Sequence, residues 1–539
     1  MTEMTAKRVN LTSLALIVFF ALGLFLRLYY INFGLPHVTF ADEDKLGNFG
    51  IVLSYQWKEI IAQGEFNRLA PDSFVYGSFS IYLNALLIMF YKIYLKIRGL
   101  NIDFLGSYTY LRVLNALLAA SIIPAGYLLA KKLFGSLLPA VISFFLLAFN
   151  WKIIVHSHYL NSDLTLTFLL TLSFLALYNY YTDTKPKLSL FFASILYGFC
   201  VGTKITSLIS LPLFAWLIYS KAHSKKDLLT FMALSFGAFA LSNPFSFIFF
   251  QSFVARITEM RLKENGIVFD SVNFSPFKYL EALAFIGTPL VLLAGVIGMV
   301  AAFKNRVNSR VSKFHLFLVL NFVAYFLFFT LSSRRVDRWV LPVLPIVLLY
   351  SSSFITSIIL WTRSQKLVAR YVVYSLLILI AVCYLYFPYK LLTQFQRNTP
   401  QTEAFSWIKA NIRSGQPKLL VTDSSLDPIR SVKGVEVMKV NIYSSSGAQH
   451  SNPNDPAKYE YVFALSRPLE RYNNATLQQL FPSYFRVWQG FHQELTNSGK
   501  YTLVKTFNSG EPNLIPLSSV YIFRNDQFVP IISPESVPQ

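Results

Sequence analysis

Carboxylate side chains are scarce in this chain of 539 residues, which has 27 Asp and Glu against 48 Lys and Arg. Charged residues make up only 14% of the sequence, where soluble domains have roughly 25%. The only two cysteines, Cys200 and Cys383, lie in separate apolar segments, so nothing indicates a disulfide framework. Internal repeats, a Gly-rich phosphate loop and CxxC pairs are also absent. With 54% hydrophobic residues, the composition is that of an integral membrane protein.

Long apolar runs recur from the N-terminus to about Pro388. The first is long for a signal peptide and no A-x-A site follows it, so we interpret it as a retained span. Eleven spans are predicted, at 11–33, 109–131, 134–151, 164–181, 188–202, 205–220, 228–250, 280–303, 314–331, 339–360 and 371–388.

Loop charge decides how the segment 79–98 is interpreted. It is apolar enough to span, but Lys92, Lys96 and Arg98 alternate with aromatic residues, which is typical of an interfacial helix. If it lies on the membrane surface, the basic turns near 131, 185, 221, 304 and 363 are all cytoplasmic, as the positive-inside rule requires. Loop 34–108, segments 152–163, 251–279 and 332–338, and everything after Pro388 are then external. The positive-inside rule and anionic lipids also explain the net charge of +21 without nucleic acid.

The composition changes near Arg397. An amphipathic helix is predicted at Thr402–Ile412, and strands at Lys418–Thr422, Tyr459–Leu465, Tyr501–Lys505 and Val520–Phe523. We therefore expect a helical membrane domain at 1–392 and a small external α/β domain at 393–539, in an α-helical polytopic membrane protein.

The cluster Asp42-Glu43-Asp44 follows the first span directly. It could be a solvated acidic turn. Because acidic residues are rare in the apolar body, the alternative is a general base at the membrane face, which removes a proton from an attacking hydroxyl.

A second set contains His156, His158 and Asp163, in the external stretch before a span. These residues could bind a divalent metal or hold the hydroxyls of a substrate, and two His that are two apart on a helix do not share a face. Asp163 could also be the N-cap of its own helix.

A third set is basic and consists of Arg27, Lys204, Arg334, Arg335 and Arg338. Snorkelling to headgroups could explain Arg27 and Lys204. Three arginines in one external turn contradict the topology rule, and a phosphate is the natural ligand for guanidinium groups. Tyr76 lies between the acidic loop and the segment 79–98, and its aromatic neighbours could form an interfacial belt.

In this order, these elements resemble the polyprenyl-phosphate-sugar-dependent C-type (GT-C) glycosyltransferases, in particular the protein O-mannosyltransferase and aminoarabinose-transferase-like group, glycosyltransferase family 39. The matching motifs are Arg27-Leu28-Tyr29, Asp42-Glu43, Tyr76-Gly77-Ser78, Arg112, Lys131-Lys132-Leu133-Phe134-Gly135, Asp163, Gly202-Thr203-Lys204, Arg338-Trp339-Val340-Leu341-Pro342 with Pro345, and the segment 402–411.

The resemblance implies transfer of a sugar, with inversion, from a polyprenyl-phosphate-linked donor to an extracytoplasmic protein, lipid or glycan. Asp42 would be the base, supported by Glu43, and Asp163 would orient the acceptor or sugar. The basic residues, together with Tyr76, His156 and His158, would contact substrate. No cofactor is certain, although a divalent metal ion is possible. Trp339 stands where the family usually has Tyr, and the family's His-Pro-Pro segment is absent.

The alternative is a polytopic transporter or lipid-sugar flippase. Transporters usually contain inverted repeats with ionisable residues near the membrane midplane, whereas here the acidic residues are at one face. We expect a prokaryotic plasma membrane protein in contact with membrane lipids, whose active site and C-terminal domain are outside the cytoplasm.

Overall fold

The computed structural model describes residues 2–35, 40, 43–71, 74, 76–222, 225–264, 275, 277–304, 310–332, 335–412, 418–421, 436–439, 459–466, 475–480, 482–508, 514–515 and 517–528. The chain divides into two compact units. The first is drawn from segments 1–32, 42–262 and 273–395, and the second from segments 33–41, 263–272 and 396–539.

The first unit is helical. Its α-helices are α1 (Thr2–Leu28), α2 (Glu43–Gln63), α3 (Ser78–Ile97), α4 (Phe104–Phe134), α5 (Leu137–Ala148), α6 (Trp151–Ser157), α7 (Ser162–Tyr181), α8 (Pro186–Thr203), α9 (Leu211–Ala222), α10 (Lys225–Ser242), α11 (Phe245–Ile248), α12 (Phe250–Glu264), α13 (Lys278–Gly287), α14 (Pro289–Lys304), α15 (Arg310–Leu331), α16 (Leu344–Thr362) and α17 (Leu367–Phe395). Short 3-10 helices cover Phe66–Leu69, Ile205–Ser210 and Asp337–Val343.

Seven helices among the described residues are long and apolar enough to cross a membrane, and nine if each of two bent pairs counts as one span. Two predicted spans, 11–33 and 205–220, correspond to the shorter apolar helices Thr12–Leu28 and Ile205–Lys221. The helix Ser78–Ile97 meets the criteria of length and composition for a span. Its placement on the membrane surface stays a prediction from loop charge.

The predicted span 280–303 is not one straight helix. It consists of α13 and α14, which meet at an angle of 108°. Thr288 between them has φ of +64°, and Pro289 begins α14. Proline has no N–H to donate to the preceding turn and its fixed φ suits the first position of a helix, so the chain starts a new helix there. An average of hydropathy does not detect this break.

Local signals define the helices that carry the candidate site. The Asp103 side chain caps α4 by accepting a hydrogen bond from Gly106 N at 2.6 Å. The same helix ends at Gly135, whose φ is +61°, with Lys131 and Lys132 in its last turn. Both features are favourable at these ends of a helix. In the packed unit, α7 contacts α4 and α8, and it also contacts the 3-10 helix Asp337–Val343.

The second unit is a small α/β domain, as predicted. Its helices are α18 (Pro400–Asn411), α19 (Ala475–Leu480) and α20 (Pro482–Asn497), and its strands are β1 (Lys418–Val421), β2 (Glu436–Lys439), β3 (Tyr461–Leu465), β4 (Tyr501–Phe507) and β5 (Val520–Asn525). The strand order is β2-β1-β3-β5-β4. Strand β1 is parallel to β2 and β3, whereas β5 is antiparallel to β3 and β4. Ala404 and Ile408 of α18 are buried together with Leu419, Phe463 and Ile522 of the sheet. The sequence analysis did not predict β2 or the two later helices.

Candidate functional site

Glu43, at the start of α2, is a buried anchor. Both of its carboxylate oxygens accept hydrogen bonds from Arg112 of α4, from Nε and from one terminal nitrogen, each at 2.7 Å. Oε1 also accepts from the backbone N–H of Leu160 at 3.1 Å. Both side chains are fully buried. The pair therefore fixes the start of α2, immediately after Asp42, against α4 and against the segment that precedes Asp163.

Asn115 of α4 also binds the segment that precedes Asp163. Its Nδ2 lies 3.0 Å from the carbonyl oxygen of His156, 3.2 Å from that of Ser157 and 2.8 Å from that of Tyr159. Arg112 and Asn115 are three residues apart, so they share one face of α4. The sequence analysis missed Asn115. A single amide in an apolar helix is nevertheless a detectable signal, because a polar group in a membrane needs hydrogen-bond partners.

Asp163 lies at the centre of a buried ion cluster. Lys204 Nζ is 2.5 Å from its Oδ1, and Arg338 Nε is 3.4 Å from its Oδ2. The carboxylate is only 3% exposed, and the side chains of Lys204 and Arg338 are 14% and 18% exposed. The structure thus brings together three of the predicted site residues, from α7, from the end of α8 and from the 3-10 helix Asp337–Val343. Among the described residues, two cations therefore meet at the Asp163 carboxylate.

The N-cap of α7 is Asn161, and the alternative that Asp163 caps its own helix is wrong. Asn161 Oδ1 accepts hydrogen bonds from Asp163 N at 2.7 Å and from Leu164 N at 3.3 Å. The cap leaves the Asp163 carboxylate available for Lys204 and Arg338.

A close junction of backbones positions Lys204. Gly77 N donates to Thr203 O at 3.1 Å, and Ser78 N donates to Asn243 Oδ1 at 2.7 Å. Asn243 Nδ2 in turn donates to Gly202 O at 3.1 Å. A Cβ atom on Gly77 would overlap the carbonyl group of Gly202. Asn243, which sequence reasoning missed, therefore joins the start of α3 to the end of α8.

Tyr76 precedes this junction and is half-buried. Its place beside Gly77 puts it next to the residues that carry Lys204, and its contact with substrate stays a prediction. The Lys204 ammonium group also lies 5.6 Å from the centre of the Trp339 ring. Trp339, which stands where the family that the sequence resembles usually has Tyr, thus contacts the ion cluster through its ring.

Arg27 is bound by backbone carbonyl groups. One terminal nitrogen donates to Gly23 O at 2.7 Å and to Ala148 O at 2.8 Å, and the other donates to Leu147 O at 3.0 Å. Leu147 and Ala148 are the last residues of α5, where carbonyl groups lack helical partners. These contacts favour a structural role, in which a buried guanidinium group stabilises the end of a helix.

Arg335 forms ion pairs away from Asp163. Its Nε is 3.0 Å from Asp337 Oδ1, and a terminal nitrogen is 3.0 Å from Glu281 Oε2. Two carboxylates therefore compensate this side chain. Of the two described arginines in this turn, Arg335 and Arg338, the structure places Arg338 at the buried cluster.

The two histidines have different environments. His158 Nδ1 lies 2.8 Å from Ile154 O, and Nε2 lies 2.8 Å from Tyr29 O. Backbone oxygens thus face both of its ring nitrogens, which favours a structural role. His156 is also buried, and its Nδ1 lies 2.5 Å from Tyr159 Oη, but within the described part of the chain its Nε2 has no hydrogen-bond partner.

Two predicted site residues, Asp42 and Arg334, lie outside the described residues. Within the described part, no group of three or more His, Cys, Asp or Glu could hold a metal ion. Arg112 already compensates Glu43, and Lys204 and Arg338 compensate Asp163. These carboxylates do not fit a divalent cation as they stand, and we assign no step to a metal.

The chain is similar to several known proteins. Residues 75–257 match the family model described as dolichyl-phosphate-mannose-protein mannosyltransferase. The matched segment contains Tyr76, His156, Asp163 and Lys204. An uncharacterized protein of Aquifex aeolicus (strain VF5) is 26% identical over 334 residues, which are 61% of this chain. The match spans 62% of the length of that curated relative.

Among solved structures, the archaeal oligosaccharyltransferase AglB from Archaeoglobus fulgidus, in complex with an inhibitory peptide and a dolichol-phosphate, has a TM-score of 0.54. It is 13% identical, and the alignment covers 97% of this chain and 75% of AglB. ArnT from Cupriavidus metallidurans bound to undecaprenyl phosphate has a TM-score of 0.49 at 14% identity, with 96% and 98% of the two chains covered.

The resemblance to the GT-C glycosyltransferases is confirmed. The chain has the GT-C fold: a multi-pass helical membrane domain and a small C-terminal α/β domain. In this fold, the ion cluster of Asp163, Lys204 and Arg338 is the strongest candidate for the functional site, because it joins buried charges from three separate elements.

Proposed function

We propose that this protein is a membrane glycosyltransferase that transfers a sugar from a polyprenyl-phosphate-linked donor to an acceptor hydroxyl, with inversion at the sugar carbon. The match to the mannosyltransferase family model and the GT-C fold support the enzyme class. The structures of AglB and ArnT were determined with dolichol-phosphate and undecaprenyl phosphate, respectively. A lipid phosphate is therefore the donor group that we propose here.

The observation that carries this proposal is the pair of cations that meets beside Asp163. Lys204 and Arg338 are largely shielded from solvent, and both lie against the Asp163 carboxylate. In such a site a cation attracts an anion far more strongly than in water. A phosphate monoester or diester has the oxygens that an ammonium and a guanidinium group bind well.

In the proposed reaction, the acceptor oxygen attacks the anomeric carbon of the sugar while the bond from that carbon to the phosphate oxygen breaks. The hydroxyl proton passes to the Asp42 carboxylate, and the bonding electrons leave with the polyprenyl phosphate. Lys204 and Arg338 stabilise the negative charge that develops on this leaving group, which lowers the barrier because their positions are fixed beforehand. Asp163 holds both cations in place.

Glu43 supports Asp42 indirectly in this account. It is bound to Arg112 and Leu160 N, so it fixes the first turn of α2 instead of accepting a proton. We also propose that this site and the C-terminal domain face the extracytoplasmic side, because this orientation leaves the basic loops in the cytoplasm. A screen of acceptors would identify the acceptor class, whether protein, lipid or glycan. A screen of donors would identify the sugar.

Binding of undecaprenyl phosphate to the purified protein tests the charge argument. We expect Lys204→Met to weaken this binding about 10-fold or more, because a charge-assisted hydrogen bond is lost. Lys187→Met is the matched control, since Lys187 is an exposed lysine at the start of α8 and its replacement should leave the affinity unchanged. Equal affinities of wild type and Lys204→Met would exclude the proposed phosphate site.

A further inference from the structure

His156 of α6 has one engaged and one unengaged ring nitrogen. Nδ1 lies 2.5 Å from Tyr159 Oη and 3.4 Å from Asn161 Nδ2. The side chain is buried, with 2% of its surface exposed, and Nε2 has no hydrogen-bond partner among the described residues. A buried polar atom without a partner costs free energy, so its presence needs an explanation.

The cap of α7 determines which way the Asn161 amide is oriented. Its Oδ1 accepts from the backbone N–H groups of Asp163 and Leu164. Because the oxygen is occupied at the helix end, the NH₂ group is the part of the amide that faces His156. An NH₂ group only donates hydrogen bonds.

This orientation determines the tautomer of His156. A nitrogen that faces an NH₂ donor must present its lone pair, so Nδ1 is unprotonated and also accepts from the Tyr159 hydroxyl. In the neutral ring the proton is then on Nε2. The unpartnered atom is therefore an N–H donor, and the ligand that satisfies it must bring an acceptor oxygen.

The charges around His156 indicate what kind of oxygen this is. Lys152 and Arg338 are both close enough to act on the ring electrostatically. Arg338 belongs to the Asp163 cluster, which we have assigned to the donor phosphate. An anionic oxygen is favoured beside an N–H donor that lies in the field of two cations.

We propose that His156 donates a hydrogen bond from Nε2 to a phosphate oxygen of the lipid-linked donor, with Tyr159 and Asn161 as positioning residues that fix its tautomer. This inference rests on the proposed function and adds a neutral donor to the cations of the site. Because Nε2 carries the proton, it has no lone pair for a metal ion. The proposal therefore excludes Nε2 as a metal ligand, which the sequence analysis had left open for His156.

Two substitutions of His156 separate the donor from the ring. His156→Gln keeps a side-chain N–H donor and an acceptor for Tyr159, whereas His156→Phe keeps the aromatic ring and has neither. We expect His156→Phe to weaken binding of undecaprenyl phosphate about 10-fold or more, and His156→Gln to stay within about 3-fold of wild type. His492→Gln, on α20 of the other unit, is the control and should bind as wild type does.

The same titration with a hexose-linked polyprenyl phosphate identifies which part of the donor is contacted. Equal losses in His156→Phe for the free lipid phosphate and the sugar-bearing lipid support a contact with the phosphate. A loss restricted to the sugar-bearing lipid, or wild-type affinity in His156→Phe, would overturn the proposal. The proposal would also be overturned if the wild type needed Mn²⁺ to bind the lipid and His156→Gln removed this dependence on Mn²⁺. His156 would then be a metal ligand.

If His156→Phe does not fold, Tyr159→Phe tests the same contact with His156 in place. It removes the shorter of the two hydrogen bonds to Nδ1 and should weaken phosphate binding about 3-fold, whereas unchanged binding would contradict the role of Tyr159. If the proposed function itself is wrong, the wild-type protein should bind neither the free nor the sugar-bearing polyprenyl phosphate. This result is distinct from a loss of binding in the His156 variants alone.

Discussion

At the scale of residues, the described part of the chain contains two buried ionic groups of different kinds. Glu43 and Arg112 form a closed pair, in which two hydrogen bonds and one additional N–H satisfy the carboxylate. In the second group, the two cations Lys204 and Arg338 both lie against Asp163. A closed pair serves structure, whereas two cations side by side can bind an anion.

The closed pair leads to a prediction about stability. Arg112→Leu leaves Glu43 buried without its partner, so the free energy of unfolding should fall by about 3–5 kcal/mol. The double variant Glu43→Leu/Arg112→Leu should recover part of this loss, because no buried charge remains. Thermal unfolding in detergent measures both.

Arg68→Leu is the matched control for that experiment. Arg68 pairs with Glu65 at 2.7 Å on an exposed surface, where solvent screens the charges and such pairs contribute little to stability. If Arg112→Leu unfolded at the same temperature as Arg68→Leu, the structural role of the Glu43–Arg112 pair would be refuted.

Sequence reasoning identified most of the charged members of the site but not how they are combined. Asp163, Lys204 and Arg338 were each predicted from a rare charge at a membrane face. Nothing in their spacing shows that they meet, because tertiary packing of α7, α8 and the turn before α16 brings them together. The supporting amides, Asn115, Asn161 and Asn243, were missed, since polar residues in apolar segments have many possible partners.

At the scale of elements, the junction between the start of α3 and the end of α8 fixes the position of Lys204. Gly77 and Gly202 allow the two backbones to approach closely, and Asn243 bonds to both sides. The position of the Lys204 ammonium group thus depends on glycines that have no chemistry of their own.

Gly77→Ala tests this junction. The new methyl group has no space beside Gly202, so the start of α3 and the end of α8 must separate. We expect a loss of stability of about 1–3 kcal/mol and weaker binding of undecaprenyl phosphate, measured by thermal unfolding and titration.

Gly237→Ala is the control, because no atom lies within 4 Å of the position that its Cβ would occupy. In the helix α10 this change should be neutral, or stabilising by up to about 1 kcal/mol. Similar behaviour of the two variants would mean that the junction tolerates a side chain and does not position Lys204.

The elements themselves were predicted where one signal dominates. Long apolar runs predicted most helices of the first unit, since a bilayer imposes a minimum length on a span. They did not predict α2 or α12, which lie in segments that were expected to be external loops. The break at Thr288 was missed because it depends on one backbone conformation. Strand β2 was missed because only two apolar residues lie between Glu436 and Lys439, which is too short a pattern to detect. Helix α20 was missed because its apolar residues are interspersed with polar ones.

At the scale of the whole molecule, the orientation in the membrane rests on loop charge. A single cysteine introduced by Ser498→Cys, in the exposed turn after α20, should react with a membrane-impermeant maleimide on intact cells. Cys383→Ser removes the exposed native thiol, and Cys200 is buried. A cysteine in place of Lys187 should react only after the membrane is permeabilised. The reverse pattern of labelling would contradict the orientation and would place the candidate site in the cytoplasm.

The central claim is best tested by transfer of a radiolabelled hexose from polyprenyl phosphate to acceptors in a membrane extract. We predict turnover by the wild type, a loss of about 10²–10⁴-fold in Asp42→Asn, and no loss in Glu59→Gln, an exposed acid on α2. Full activity of Asp42→Asn would remove the proposed base. No transfer from any donor sugar, together with movement of the labelled lipid across the bilayer, would contradict the account and show a transporter instead.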